Sequence, residues 1–115
     1  MEAIKIVSFN LKHDFAFAVR NRWKARRELI TQLLSGSDAS IVGVQELMPN
    51  MKEDLRSRLS GFRIIGQGRT KHLANEHSAI LLRAENTTLL YDQTFWLSKH
   101  PEKSGSRAYF AMFPR

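Results

Sequence analysis

Ile41-Val42-Gly43-Val44-Gln45-Glu46 sets an unbroken apolar and small run directly against an amide and a carboxylate. A run without alternation predicts a strand covered on both faces rather than one with a wet side. Gln45 and Glu46 then stand at its carboxyl end. Ligands of open α/β sheets bind beyond the carboxyl ends of the strands, so the position of Glu46 alone makes it a candidate site residue.

Working towards the N-terminus, Ile4 to Phe9 is short, apolar and β-branched, and predicts a second such strand that ends at Asn10. Residues 10–19 read as a loop. A helix is expected from about Arg20 to Leu34, with Trp23, Ile30, Leu33 and Leu34 near one face. Ser35-Gly36-Ser37-Asp38 should end it, with Gly36 as a left-handed cap. Towards the C-terminus, Pro49 can open a helix in which Met51, Leu55 and Leu59 recur every four residues, closed by Gly61. Phe62 to Ile65 predicts a third strand before Gly66-Gln67-Gly68-Arg69. Ser78 to Arg83 and Thr87 to Leu97 predict two more, joined by a turn at Ala84-Glu85-Asn86. Residues 98–107 are polar and loop-like, and the apolar run from Phe110 to Phe113 calls for further sheet. Strand, helix, strand, helix and then several strands is the order of an α/β sheet with helices on one face.

A chain of 115 residues is enough for one domain, and 43% hydrophobic residues is ordinary for a globular one. No apolar run approaches the roughly 20 residues of a membrane span, and the N-terminus lacks the pattern of a secretory signal. The absence of cysteine excludes disulfides and thiolate chemistry and fits a reducing cytoplasm. Eighteen Lys and Arg against 11 Asp and Glu give a formal charge of +7, which favours anionic partners. Much of the excess sits at Arg20, Arg22, Lys24, Arg26 and Arg27. Such a run reads first as a solvated helix face, with a phosphate-tracking patch as the alternative.

If the first two strands are parallel neighbours, Asn10 and Glu46 meet at one edge of the sheet. A carboxylate oxygen and an amide oxygen are hard ligands, suited to Mg²⁺ or Mn²⁺ rather than zinc. Taken singly, Asn10 also reads as a turn or cap residue and Glu46 as a solvated carboxylate. Glu76, just before the strand that begins near Ser78, either orients a histidine or faces water, and alternation places His77 on the opposite face. His13, His72, His77 and His100 have no metal-ligand spacing and read as surface or loop histidines. Arg69 can reach a phosphate from its glycine-flanked loop, although a basic loop residue is the simpler reading. Phe95 and Trp96 read as one core and one rim residue rather than a base-stacking pair.

In combination these segments resemble the endonuclease/exonuclease/phosphatase superfamily. Val7-Ser8-Phe9-Asn10 is similar to its first motif and Ile41 to Glu46 to its second. Ile65-Gly66-Gln67-Gly68-Arg69, Glu76 with the strand after it, Thr94-Phe95-Trp96-Leu97-Ser98, Ser104-Gly105-Ser106 and Pro114-Arg115 come next in the same order. The resemblance implies a four-layer α/β sandwich and hydrolysis of phosphate esters with Mg²⁺ or Mn²⁺. Under it Glu46 is the metal ligand, Asn10 helps hold the metal or its water shell, and Glu76 orients the general-acid histidine. Arg69 and Arg115 become candidate substrate contacts.

Members of that family are about twice this length, as two packed sheets require. Their second half carries His-x-Asp-His-like, Gly-Asp-x-Asn and Asp-His motifs, none of which occurs here. The expectation is therefore one partial domain over residues 1–115, without the C-terminal half, inactive alone and prone to self-association or to pairing with that half. A phosphate ester is the expected substrate, and the basic charge favours a nucleic acid or another polyanion. A non-catalytic basic nucleic-acid- or anion-binding module is the alternative, as is a half-domain completed by a second chain.

Overall fold

The computed structural model describes residues 3–14, 19–66, 68, 76–97, 99–103 and 108–112. The first apolar run forms β1 (Ile6–Asn10), followed by a single 3-10 turn at Val19–Asn21 and α1 (Trp23–Gly36). The deciding run forms β2 (Ile41–Leu47), and Pro49 opens α2 (Pro49–Arg58) in its first turn. There follow β3 (Phe62–Ile65), β4 (His77–Arg83), β5 (Tyr91–Phe95) and β6 (Ala108–Met112).

Four strands make a mixed sheet in the order β1-β2-β4-β3, and β5 pairs antiparallel with β6 in a separate two-stranded sheet. β1 runs parallel to β2, while β4 runs antiparallel to both β2 and β3. The carboxyl ends of β1, β2 and β3 therefore lie at the edge where β4 begins. That edge gathers Asn10, Glu46, Gly66 and Glu76 from four distant parts of the chain.

The pairing places Val7, Val42, Leu81 and Ile64 in one row across the sheet, and Phe9, Val44 and Ala79 in a second row on the same face. Both helices pack on this face through Trp23, Ile30, Leu34, Met51, Leu55 and Leu59. The four-residue repeat of α2 is thus its buried stripe. Leu82 and Trp96 are buried outside this cluster, and Phe95 is half-buried, so these two aromatics divide into core and rim. Arg83 closes the far end of the sheet. Its guanidinium donates to the carbonyls of Ala39 (2.9 Å) and Ser37 (2.7 Å) and lies 4.5 Å over the Phe62 ring.

Four details depart from the expectations drawn from sequence. Leu33 is 55% exposed. It precedes Leu34 by one residue, about 100° around the helix, and Thr31 takes the buried place with its hydroxyl on the Arg27 carbonyl at 2.7 Å. Gly36 stays within α1, and Ser37 caps the helix in an extended conformation, so no left-handed residue is needed. α2 ends at Arg58 with Leu59 as its cap, before Gly61. The strand expected from Thr87 is confined to Tyr91–Phe95, because the Thr87 hydroxyl bonds back to the Arg83 carbonyl at 2.6 Å and prolongs the turn.

Leu81→Ala should cost about 2–5 kcal/mol, since it opens a cavity between sheet and helices. Leu33→Ala should change stability by less than about 0.5 kcal/mol. Urea unfolding followed by tryptophan fluorescence distinguishes the two.

Candidate active site

β2 does not finish as a regular strand. Val44 pairs with Ala79 but Leu47 pairs with His77, so three steps along β2 oppose two along β4. The extra residue makes a bulge. Val42 and Val44 face the helices, and strict alternation would bring Glu46 to that apolar side next. The bulge instead delivers Leu47 there, fully buried, and leaves Glu46 half-buried at the sheet edge. Glu46 has φ +60°, in the left-handed region. For a non-glycine residue this costs roughly 1–3 kcal/mol and persists only where the surroundings impose it.

The surroundings are specific. Asn10 Nδ2 donates to Glu46 Oε1 at 3.2 Å, and the His13 amide donates to Oε2 at 3.0 Å. The two strands are parallel neighbours and bring Asn10 and Glu46 together, as expected for that arrangement. The segment after β1 supplies the second donor through a tight turn. Leu11 N–H continues the ladder to the Gln45 carbonyl (3.1 Å), Lys12 turns left-handed at φ +61°, and its N–H closes on Asn10 Oδ1 at 2.8 Å. Glu76 stands at the start of β4 with its side chain only 11% exposed and paired with the His13 ring. The glycine after β3 makes this edge compact. Gly66 has φ +135°, and a Cβ there would lie 3.0 Å from the Ala79 Cα and the Ser78 carbonyl oxygen.

His13, which reads in the sequence as an ordinary loop histidine, belongs to this edge. It meets Glu46 through its backbone and Glu76 through its ring, contacts that span 33 and 63 residues. No spacing rule reports such a meeting. His77 Nδ1 lies 3.2 Å from the Leu47 carbonyl, and His100 is exposed beside Glu102. Arg69, Arg115 and His72 lie outside the described residues.

Asp14 fixes the other end of the turn. Its Oδ1 accepts from Arg22 Nε (2.7 Å) and the Trp23 amide (3.0 Å), and its Oδ2 from Arg22 Nη2 (3.1 Å) and Asn50 Nδ2 (3.1 Å). One carboxylate thus ties the loop to the first turns of both helices. The bonds from Arg22 and the Trp23 amide hold its pKa down at about 2, against an opposing effect of burial. Asp54 accepts from the Trp23 indole at 2.7 Å and from Arg27 at 3.3 Å; these bonds outweigh its desolvation and lower its pKa. Three of the clustered basic residues are therefore bonded within the chain. Arg22 holds Asp14, Arg27 holds Asp54, and Arg26 donates to backbone carbonyls. Each keeps part of its side chain exposed, 42% in Arg22 and 29% in Arg27, so the run is a braced surface rather than a freely solvated one.

No protein-family model matches the chain, and no curated protein matches it. Solved structures do. An endonuclease/exonuclease/phosphatase from Bacteroides vulgatus matches with a TM-score of 0.81 at 31% identity, over 87% of this chain and 39% of that one. The fold is that of the endonuclease/exonuclease/phosphatase family. A mannosyl-6-phosphatase from Bacteroides thetaiotaomicron matches at 30% identity and a TM-score of 0.81, over 88% of this chain and 39% of that one. A conserved protein of unknown function from Enterococcus faecalis V583 has the same TM-score at 27% identity, over 87% and 39% of the two chains. The chain thus spans about 39% of the length of these endonuclease/exonuclease/phosphatase-fold structures. Among the described residues, no helix is long and apolar enough to cross a membrane, and no group of three or more acidic, histidine or cysteine side chains is placed to hold a metal ion.

Asp14 carries a pH signature. Its folded pKa lies below the ordinary 3.8, so its contribution is present above about pH 4 and is lost as pH falls through about 2. Stability measured by thermal unfolding should drop across that interval, and Asp14→Asn should flatten the drop while lowering stability at neutral pH.

Proposed function

We propose that this chain carries the metal-binding edge of a hydrolase of phosphate esters. The observation that supports this most strongly is Glu46, held left-handed at a strand bulge with donors directed at both of its carboxylate oxygens. A strained backbone kept in place by converging contacts is typical of functional positions. In this reading Glu46 is the protein's carboxylate ligand to Mg²⁺ or Mn²⁺, and Asn10 contributes its amide oxygen or holds the metal's water shell. Hard oxygen donors fit these ions, which keep several waters and take one or two protein carboxylates. A bound dication supplies neutralisation of the charge that develops on the phosphoryl oxygens.

The chain's own residues prepare that position. Asn10 and the His13 amide orient the Glu46 carboxylate. Glu76, paired with His13, is the carboxylate that sets the histidine next to it. The mannosyl-6-phosphatase among the similar structures supports a phosphorylated small molecule as substrate. The commitment of Arg22, Arg26 and Arg27 to internal bonds weakens the case for tracking a nucleic acid. Catalysis is assigned to a form in which the remaining elements of the fold complete the site around the Glu46 and Glu76 carboxylates.

Hydrolysis of p-nitrophenyl phosphate and bis-p-nitrophenyl phosphate with Mn²⁺ tests this. Activity is expected in a form carrying the rest of the fold, and Glu46→Ala should lower it by roughly 100-fold or more. Activity that Glu46→Ala leaves intact would remove Glu46 from the mechanism.

A further inference from the structure

Arg26 stands on α1, away from the sheet, yet its guanidinium reaches the turn that serves Glu46. Nη1 donates to the Leu11 carbonyl at 2.6 Å and Nη2 to the Lys12 carbonyl at 3.1 Å, while Nε is anchored on the Asn21 carbonyl at 2.8 Å. The Trp23 ring lies 5.8 Å beneath it. Leu11 and Lys12 are the two residues immediately before the His13 amide, and Lys12 is the one that must stay left-handed. A fork that grips both carbonyls fixes the peptide planes on either side of the Lys12 Cα. With those planes fixed, the His13 N–H has one direction, towards Glu46 Oε2.

We infer that Arg26 is a positioning residue for the Glu46 carboxylate, acting through the backbone of residues 11–13. The inference deepens the metal-site reading and rests on it for its effect on metal binding. A planar guanidinium can bond two successive carbonyls while held by a third, whereas an ammonium cannot span them in a fixed geometry. Charge is therefore not the essential property. Arg26→Lys keeps the charge and the aliphatic stem but removes the fork.

Two readouts on the chain test this: amide hydrogen exchange by NMR, and Mn²⁺ titration. In Arg26→Lys the His13 amide should exchange at least about tenfold faster while those of Val42 and Leu81 in the core stay protected, and Mn²⁺ should bind roughly 10–100-fold more weakly. Unchanged exchange at His13 overturns the inference. Protection lost equally at His13, Val42 and Leu81 also overturns it, because Arg26 would then support the fold as a whole. Glu46→Gln separates this failure from that of the metal reading. If it leaves Mn²⁺ binding undiminished, Glu46 is not the ligand, and the exchange at His13 alone decides whether Arg26 aims the carboxylate.

Discussion

The Asp14 carboxylate is where the parts of this structure are joined. It accepts hydrogen bonds from the start of α1, from Arg22 just before it, and from Asn50 in the first turn of α2. Ionised carboxylates accept at both oxygens and favour helix N-termini, where amide hydrogens lack partners. The loop that leaves β1 at the sheet edge is thereby fixed against both helices just beyond His13. The orientation of the His13 amide, and through it the direction of the Glu46 carboxylate, depends on that anchoring.

The sheet contributes a different constraint. Parallel pairing puts the ends of β1 and β2 side by side, and antiparallel β4 brings its beginning to the same edge. Catalytic or binding groups in such folds gather where strand ends meet. Here the meeting involves an amide, two carboxylates and a histidine, through contacts that span up to 63 residues. The likeness to the Bacteroides structures extends over most of this chain, and with it the same arrangement of strands and helices.

Features that depend on local order were legible in the sequence. Apolar runs marked β1, β2 and β3, the spacing of Met51, Leu55 and Leu59 marked α2, and the polar residues at the carboxyl ends of two strands marked Asn10 and Glu46. Their meeting required only that the two strands be parallel neighbours. His13, Asp14 and Arg26 were not legible as partners of the site. Each acts through a residue distant in sequence or through backbone atoms, and neither leaves a pattern in residue types. Leu33 is apolar yet exposed, because its place on the helix lies off the buried stripe.

The bulge in β2 bears on how chains of this fold can vary in length. Surface loops absorb insertions and deletions at small cost, so length drift is expected after β4 and before α1. Between Val44 and Leu47 the count is not free. Removing Gln45 or Glu46 would restore a regular ladder with β4 and keep Leu47 opposite His77 on the helix face, but would leave a single residue between the two core positions, on the opposite face of the sheet. The left-handed turn that sets Glu46 at the sheet edge would be lost with the bulge. The two-residue step of Gln45 and Glu46 is thus an indel-intolerant point in an otherwise forgiving strand.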